Sequence, residues 1–170
     1  MSQPELSLSR AQRRAAEKLS RRAPTKQRHT AHSNSARLAT MPWRIDAVWY
    51  PVESFLDRIL REGTVDELHG KVAAHDDTTQ RWYEFIPAVR GLLEFHRIAA
   101  QRHGWNMDLE PLSQLITKLA NGSLIFAKDV LSAQNSIGPL KQMAGQLTLG
   151  EAVDINTTVN IKIKLQNKDS

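Results

Sequence analysis

The 170 residues are enough for one domain plus a tail, and a hydrophobic share of 41% is low for a chain that enters a core throughout. There is no cysteine, which excludes disulfides, thiolate chemistry and cysteine-based zinc sites. The formal charge of +5 is unevenly spread: residues 1–40 hold nine Lys and Arg against two Glu, a formal +7, and residues 41–170 hold 14 against 16 acids, a formal −2.

The arginine-bearing N-terminus lacks the apolar stretch of a secretory signal, and no run of 18 apolar residues exists to span a membrane. With the missing cysteine, these features point to the cytoplasm.

Residues 1–41 read as a basic, largely disordered arm. Leu6, Leu8, Leu19 and Leu38 are its main large apolar side chains, too few to offset chain entropy by burial. Residues 9–22 (SRAQRRAAEKLSRR) are the exception, with Ser9 able to cap a short helix of good helix formers that Pro24 ends. Residues 25–41 read as a linker.

Residues 42–152 read as a helical body containing a hairpin. Ile45, Val48, Trp49, Val52, Leu56, Ile59 and Leu60 follow helical spacing. Pro51 suggests a break: a short turn, then a helix over 51–62 closed by Gly63. Residues 70–86 read as a β-hairpin with a polar turn at 76–79, and Phe85 and Ile86 are assigned to its returning strand. Helices are expected over 87–103, 109–121 with Asp108 as its cap, 123–136, and a shorter one from Pro139.

From 153 to 165 the period changes. Val153, Ile155, Thr157, Val159, Ile161, Ile163 and Leu165 alternate with polar residues, the signature of a C-terminal strand, followed by a polar tail to residue 170. The expected fold class is therefore α+β and mostly helical, with four or five helices, one hairpin and a terminal strand.

Arginine and lysine density at the N-terminus suits phosphate neutralisation, which needs concentrated charge rather than a fold. Arg10, Arg13, Arg14, Lys18, Arg21, Arg22, Lys26 and Arg28 are the candidate nucleic-acid contacts, with DNA or RNA as partner. The arm has no aromatic residue, so base stacking is not its own mechanism. The bland reading is a solubilising tail, or an arm for an acidic protein.

A second reading is an oligomeric assembly or adaptor protein whose C-terminal strand pairs with a second subunit or a partner's sheet edge.

No catalytic residue, metal or cofactor is assigned, and the chain is read as a non-enzyme. It lacks a P-loop, G-x-G-x-x-G, G-x-S-x-G and H-E-x-x-H. His29 and His32 have no nearby acid. His75, Asp76, Asp77 and Glu84 could be drawn as a magnesium site, but Asp and Thr form turns by bonding their own backbone. His96 and His103 fall on an apolar arc, seven residues and about 10 Å apart along a helix, too far to share an ion. The bland reading of each is a half-buried, satisfied ring. Trp43, Trp49, Tyr50, Phe55 and Trp82-Tyr83 read more readily as core than as a binding surface. Trp105, after a helix cap, is expected to pack back on the last turn.

Overall fold

The computed structural model describes residues 34–77 and 79–166. The contacts divide the chain at Ser35, and the unit from Ala36 onward is the body. The expected arm and its helix at 9–22 fall almost wholly outside the described residues. The body itself begins earlier than residue 42. A 3-10 turn, Leu38–Thr40, is followed by five α-helices and three short strands: α1 (Pro42–Glu62), β1 (Glu67–Leu68), β2 (Lys71–Asp76), β3 (Arg81–Glu84), α2 (Phe85–His103), α3 (Glu110–Ala120), α4 (Ala127–Gln146) and α5 (Leu149–Gln166).

Helix α1 runs through Pro51 without a break. Proline removes one helical hydrogen bond, but Trp49, Val52, Phe55, Leu56 and Ile59 form one buried face across it. Tertiary packing holds both halves in register. Gly63 ends the helix with φ 68°, a left-handed cap suited to glycine.

The strands form an antiparallel meander in the order β1-β2-β3. The expected hairpin is present, with Ala74 opposite Tyr83 and His75 opposite Trp82. A short extra strand, β1, precedes it. His69 (φ 54°) and Gly70 (φ 75°) both adopt positive φ in the tight β1–β2 turn, as the hand of such turns requires. Ala73 and Ala74 are the buried residues of β2.

Phe85 and Ile86 belong to α2, not to the returning strand. Phe85 is fully buried and stacks on Phe55, with ring centroids 3.8 Å apart. That anchor starts the helix two residues earlier than Pro87, which lies within the first turn where no backbone donor is needed.

The two expected helices at 123–136 and from Pro139 are one helix, α4, with Pro139 inside it. Gly138 precedes the proline and carries no Cβ to meet its ring, which relieves the usual restriction on that position. Val130, Ala133, Ile137, Leu140 and Ala144 keep one buried face on both sides. Lys141 ties α4 to α1, with its ammonium 2.8 Å from Asp46 and 3.2 Å from Glu53. Burial works against its charge, yet the two carboxylates hold its pKa above the usual lysine value.

The C-terminal strand is not formed: Leu149–Gln166 is helical. Successive odd-numbered residues on an α-helix are 200° apart, so a period-two pattern splits into two opposite stripes. One stripe contains Ile155 and Val159, buried with Ala99, Leu147 and Leu38 in the smaller apolar cluster. This docking onto α2 supplies the burial that a lone strand would have lacked. Thr148 opens the helix: its amide and hydroxyl each donate to Glu151 at 2.8 Å, while the Glu151 amide donates back to the hydroxyl at 3.2 Å. This is a reciprocal cap. The hydrogen bonds with Thr148 hold the Glu151 carboxyl below its ordinary pKa.

The larger core cluster joins α1, α2, α3 and α4 around Trp49, Leu56, Phe85, Leu112, Leu115 and Ile137. The architecture is thus a mostly helical body carrying a small antiparallel sheet.

Candidate nucleic-acid interface

The body grips the chain where residue numbering leaves the basic segment. Leu38 donates its amide to the Leu147 carbonyl at 2.8 Å, and Leu149 donates to Ala36 at 2.9 Å. Arg37 and Thr148 form an isolated antiparallel bridge between these bonds. A Cβ added at Gly145 would lie 3.4 Å from the Ala39 Cβ, so α4 passes closely beneath this segment. The sequence marked 25–41 as linker because it holds few large apolar side chains. Leu38, one of them, is nevertheless buried.

With the body starting at Ala36, residues 1–35 keep eight Lys and Arg against two Glu, a formal +6. Arg10, Arg13, Arg14, Lys18, Arg21, Arg22, Lys26 and Arg28 lie outside the described residues, as do His29 and His32. Arg37 belongs to the body and is exposed.

Immediately after the clamp, α1 presents an aromatic surface. Trp43 is 62% exposed and Tyr50 50%, on the side opposite the buried face of Trp49, Val52 and Leu56. The Arg44 guanidinium carbon lies 4.7 Å from the Trp43 ring centroid, a cation–π contact. The aromatics weighed together from sequence therefore divide. Trp49 and Phe55 are core, Tyr83 is half-buried, and Trp43, Tyr50 and Trp82 are exposed. The signal was available: Trp43 and Tyr50 are seven residues apart on a helix whose apolar residues occupy the other side. Together, Trp43, Arg44 and Tyr50 offer a flat ring surface and a cation, which suits stacking of bases.

The other candidate groups form no second site. His75 Nδ1 lies 2.8 Å from Asp77 Oδ1, and Asp76 accepts a hydrogen bond from the Thr79 hydroxyl at 2.7 Å. Glu84 pairs with Lys71 at 2.7 Å. These contacts build the turn and bind the strands. Among the described residues, no group of three or more His, Asp or Glu converges on a metal position.

His96 is buried between α2 and α4, with Nδ1 2.8 Å from the Leu92 carbonyl and Nε2 3.3 Å from that of Leu140. Its ring also contacts Trp49. Burial lowers its pKa despite the two carbonyl contacts, so it sits as a neutral core residue. A neutral ring has one N–H, so only one carbonyl receives a hydrogen bond at a time. His103 is not buried with it. It stacks on Trp105 at 4.4 Å and faces Glu151 at 3.5 Å. Trp105 packs back as expected, its amide donating to Ala100 at 3.0 Å.

A cleft of about 650 Å³ opens between α2, α3 and the end of α5. Glu94 occupies its charged side, accepting from both Lys162 and Arg97, and these bonds hold its pKa below the usual value. No helix among the described residues is long and apolar enough to cross a membrane.

This fold and surface define a small helical domain with a short meander and an aromatic–arginine patch beside its N-terminal clamp. No family model, curated protein or solved structure matches the chain.

Proposed function

We propose that the protein is a non-enzymatic nucleic-acid-associated protein whose basic N-terminal arm neutralises phosphates of DNA or RNA. The observation that carries this reading is the segregation of charge: a formal +6 in residues 1–35 against −1 in the rest. Dense Lys and Arg bind polyanions by releasing condensed counterions, and this requires no preformed pocket. Arg10, Arg13, Arg14, Lys18, Arg21 and Arg22 are the principal contacts, with Lys26 and Arg28 extending them. Exposed Trp43, with Arg44 over its ring, is the nearest aromatic surface in sequence and supports contact with unpaired bases. A cytoplasmic location belongs to the same reading.

The test replaces Arg10, Arg13, Arg14, Lys18, Arg21 and Arg22 with Gln in the full chain and measures binding to labelled duplex DNA, single-stranded DNA and RNA. Binding at low salt by the unmodified chain and its loss in the variant support the proposal. Equal binding by both removes the arm from it, and no binding by either ends it.

A further inference from the structure

Helix α1 carries an aromatic row that its own packing leaves uncovered. Trp43, Ala47, Tyr50, Ser54 and Arg61 fall within an arc of about 60° around the helix. Trp43 and Tyr50 are exposed, whereas Trp49, Val52, Leu56 and Ile59 are buried on the other side. The two exposed rings are about 10 Å apart along the axis. Ala47, exposed between them, puts only a methyl group into that space. Trp and Tyr grouped on a surface in this way mark a place of contact.

The charges around the row identify its occupant. Asp46 and Glu53, the acids on its α4 side, both lie against the Lys141 ammonium, at 2.8 and 3.2 Å. Asp57 accepts a hydrogen bond from Gln134 on the same side. Arg44 and Arg61, towards opposite ends of the row, have no carboxylate partner among the described residues. Arg44 instead lies over the Trp43 ring. Rings with guanidinium groups at hand match a polymer of planar bases joined by anions. A duplex offers this row little. Its bases are stacked inside, and its major groove is read chiefly by Arg, Lys, Asn and Gln. Helix α1 contains no Asn or Gln, and two bulky rings dominate its exposed face.

We infer that the row on α1 stacks the bases of single-stranded nucleic acid, so that the protein prefers single strands to duplex. Trp43 and Tyr50 each take one base, and Arg44 and Arg61 meet phosphates of the same strand. This preference rests on the reading of the arm as the source of phosphate affinity. Phosphate neutralisation alone favours the duplex, whose charge density and salt slope are greater. Stacking reverses that order.

The experiment measures binding of the full chain to labelled oligo-dT and to a dA·dT duplex of the same length, at one salt concentration. The unmodified chain, Trp43→Ala and Tyr50→Ala are compared. The unmodified chain binds oligo-dT more tightly than the duplex. Each alanine variant lowers oligo-dT affinity at least about fivefold, the lower bound for loss of one base–aromatic stack, and leaves duplex affinity unchanged. Both side chains are exposed, and circular dichroism checks that helix content is unchanged. Equal or tighter binding to the duplex overturns the inference but leaves the arm reading intact, and passes the row to a protein partner. Alanine variants that lose nothing, or lose equally on both polymers, have the same consequence. Binding to neither polymer ends both readings.

Discussion

Leu38 and Leu147 are joined by a 2.8 Å backbone hydrogen bond, and both side chains lie in the same buried cluster. The clamp fixes the position from which the basic segment leaves the body. Leu38→Ala removes apolar contacts at the edge of that cluster and should destabilise the body by roughly 2–3 kcal/mol, the lower part of the range for buried leucines. Urea unfolding of the full chain followed by Trp fluorescence measures this. An unchanged midpoint would mean that the clamp contributes nothing.

The two stripes of α5 separate by stability. Ile155 is fully buried, so Ile155→Ala should cost about 2–5 kcal/mol. Ile161 is exposed, and Ile161→Ala should change unfolding by less than about 0.5 kcal/mol. Comparable losses at both positions would contradict the helical placement of this segment.

His96 makes stability depend on pH. Burial depresses the pKa of the native ring, so the unfolded chain takes up its proton first as pH falls. Stability is full above the ordinary histidine value of about 6.5 and declines as pH drops below it. The decline ends once the native ring itself protonates. The carboxyls of Glu94, Asp129 and Glu151, whose pKa values are lowered, act separately, in a more acidic window. Denaturation midpoints at pH 7.5 and 5.5 should fall for the unmodified chain and change less for His96→Gln. Equal changes in both would clear His96 of the effect.

Tyr83 buries its hydroxyl without a hydrogen-bond partner. Desolvation, with the charge of Asp76, pushes its pKa up to about 12. Removing an unsatisfied buried polar group is favourable, so Tyr83→Phe should raise stability by up to about 1 kcal/mol. A clear loss would show that the hydroxyl is bonded, for instance through water.

Helices with one apolar face were legible from spacing alone: Leu112, Leu115, Ile116 and Leu119 occupy α3 as the periodicity implies. Local breakers misled where packing overrode them. Pro51 and Pro139 cost one helical bond each, and the continuous buried faces around Trp49–Leu56 and Ile137–Leu140 outweigh that cost. The alternation at 153–165 satisfied the rule for strands equally well. Only the position of α2, which covers Ile155 and Val159 together, decides for a helix, and that position is a tertiary fact. At the site, the charge segregation was visible in sequence. The exposure of Trp43 and Tyr50 was not assigned, because aromatics in helices are more often core.

The central claim is that the arm binds nucleic acid through phosphate contacts. The most direct test is the affinity of the full chain for a labelled nucleic acid between 50 and 200 mM salt. Contacts by six arm residues predict a log–log slope of roughly −4 to −5, reduced by about 1 for each residue neutralised. A slope near zero, or one unchanged when the six are replaced by Gln, would contradict the account.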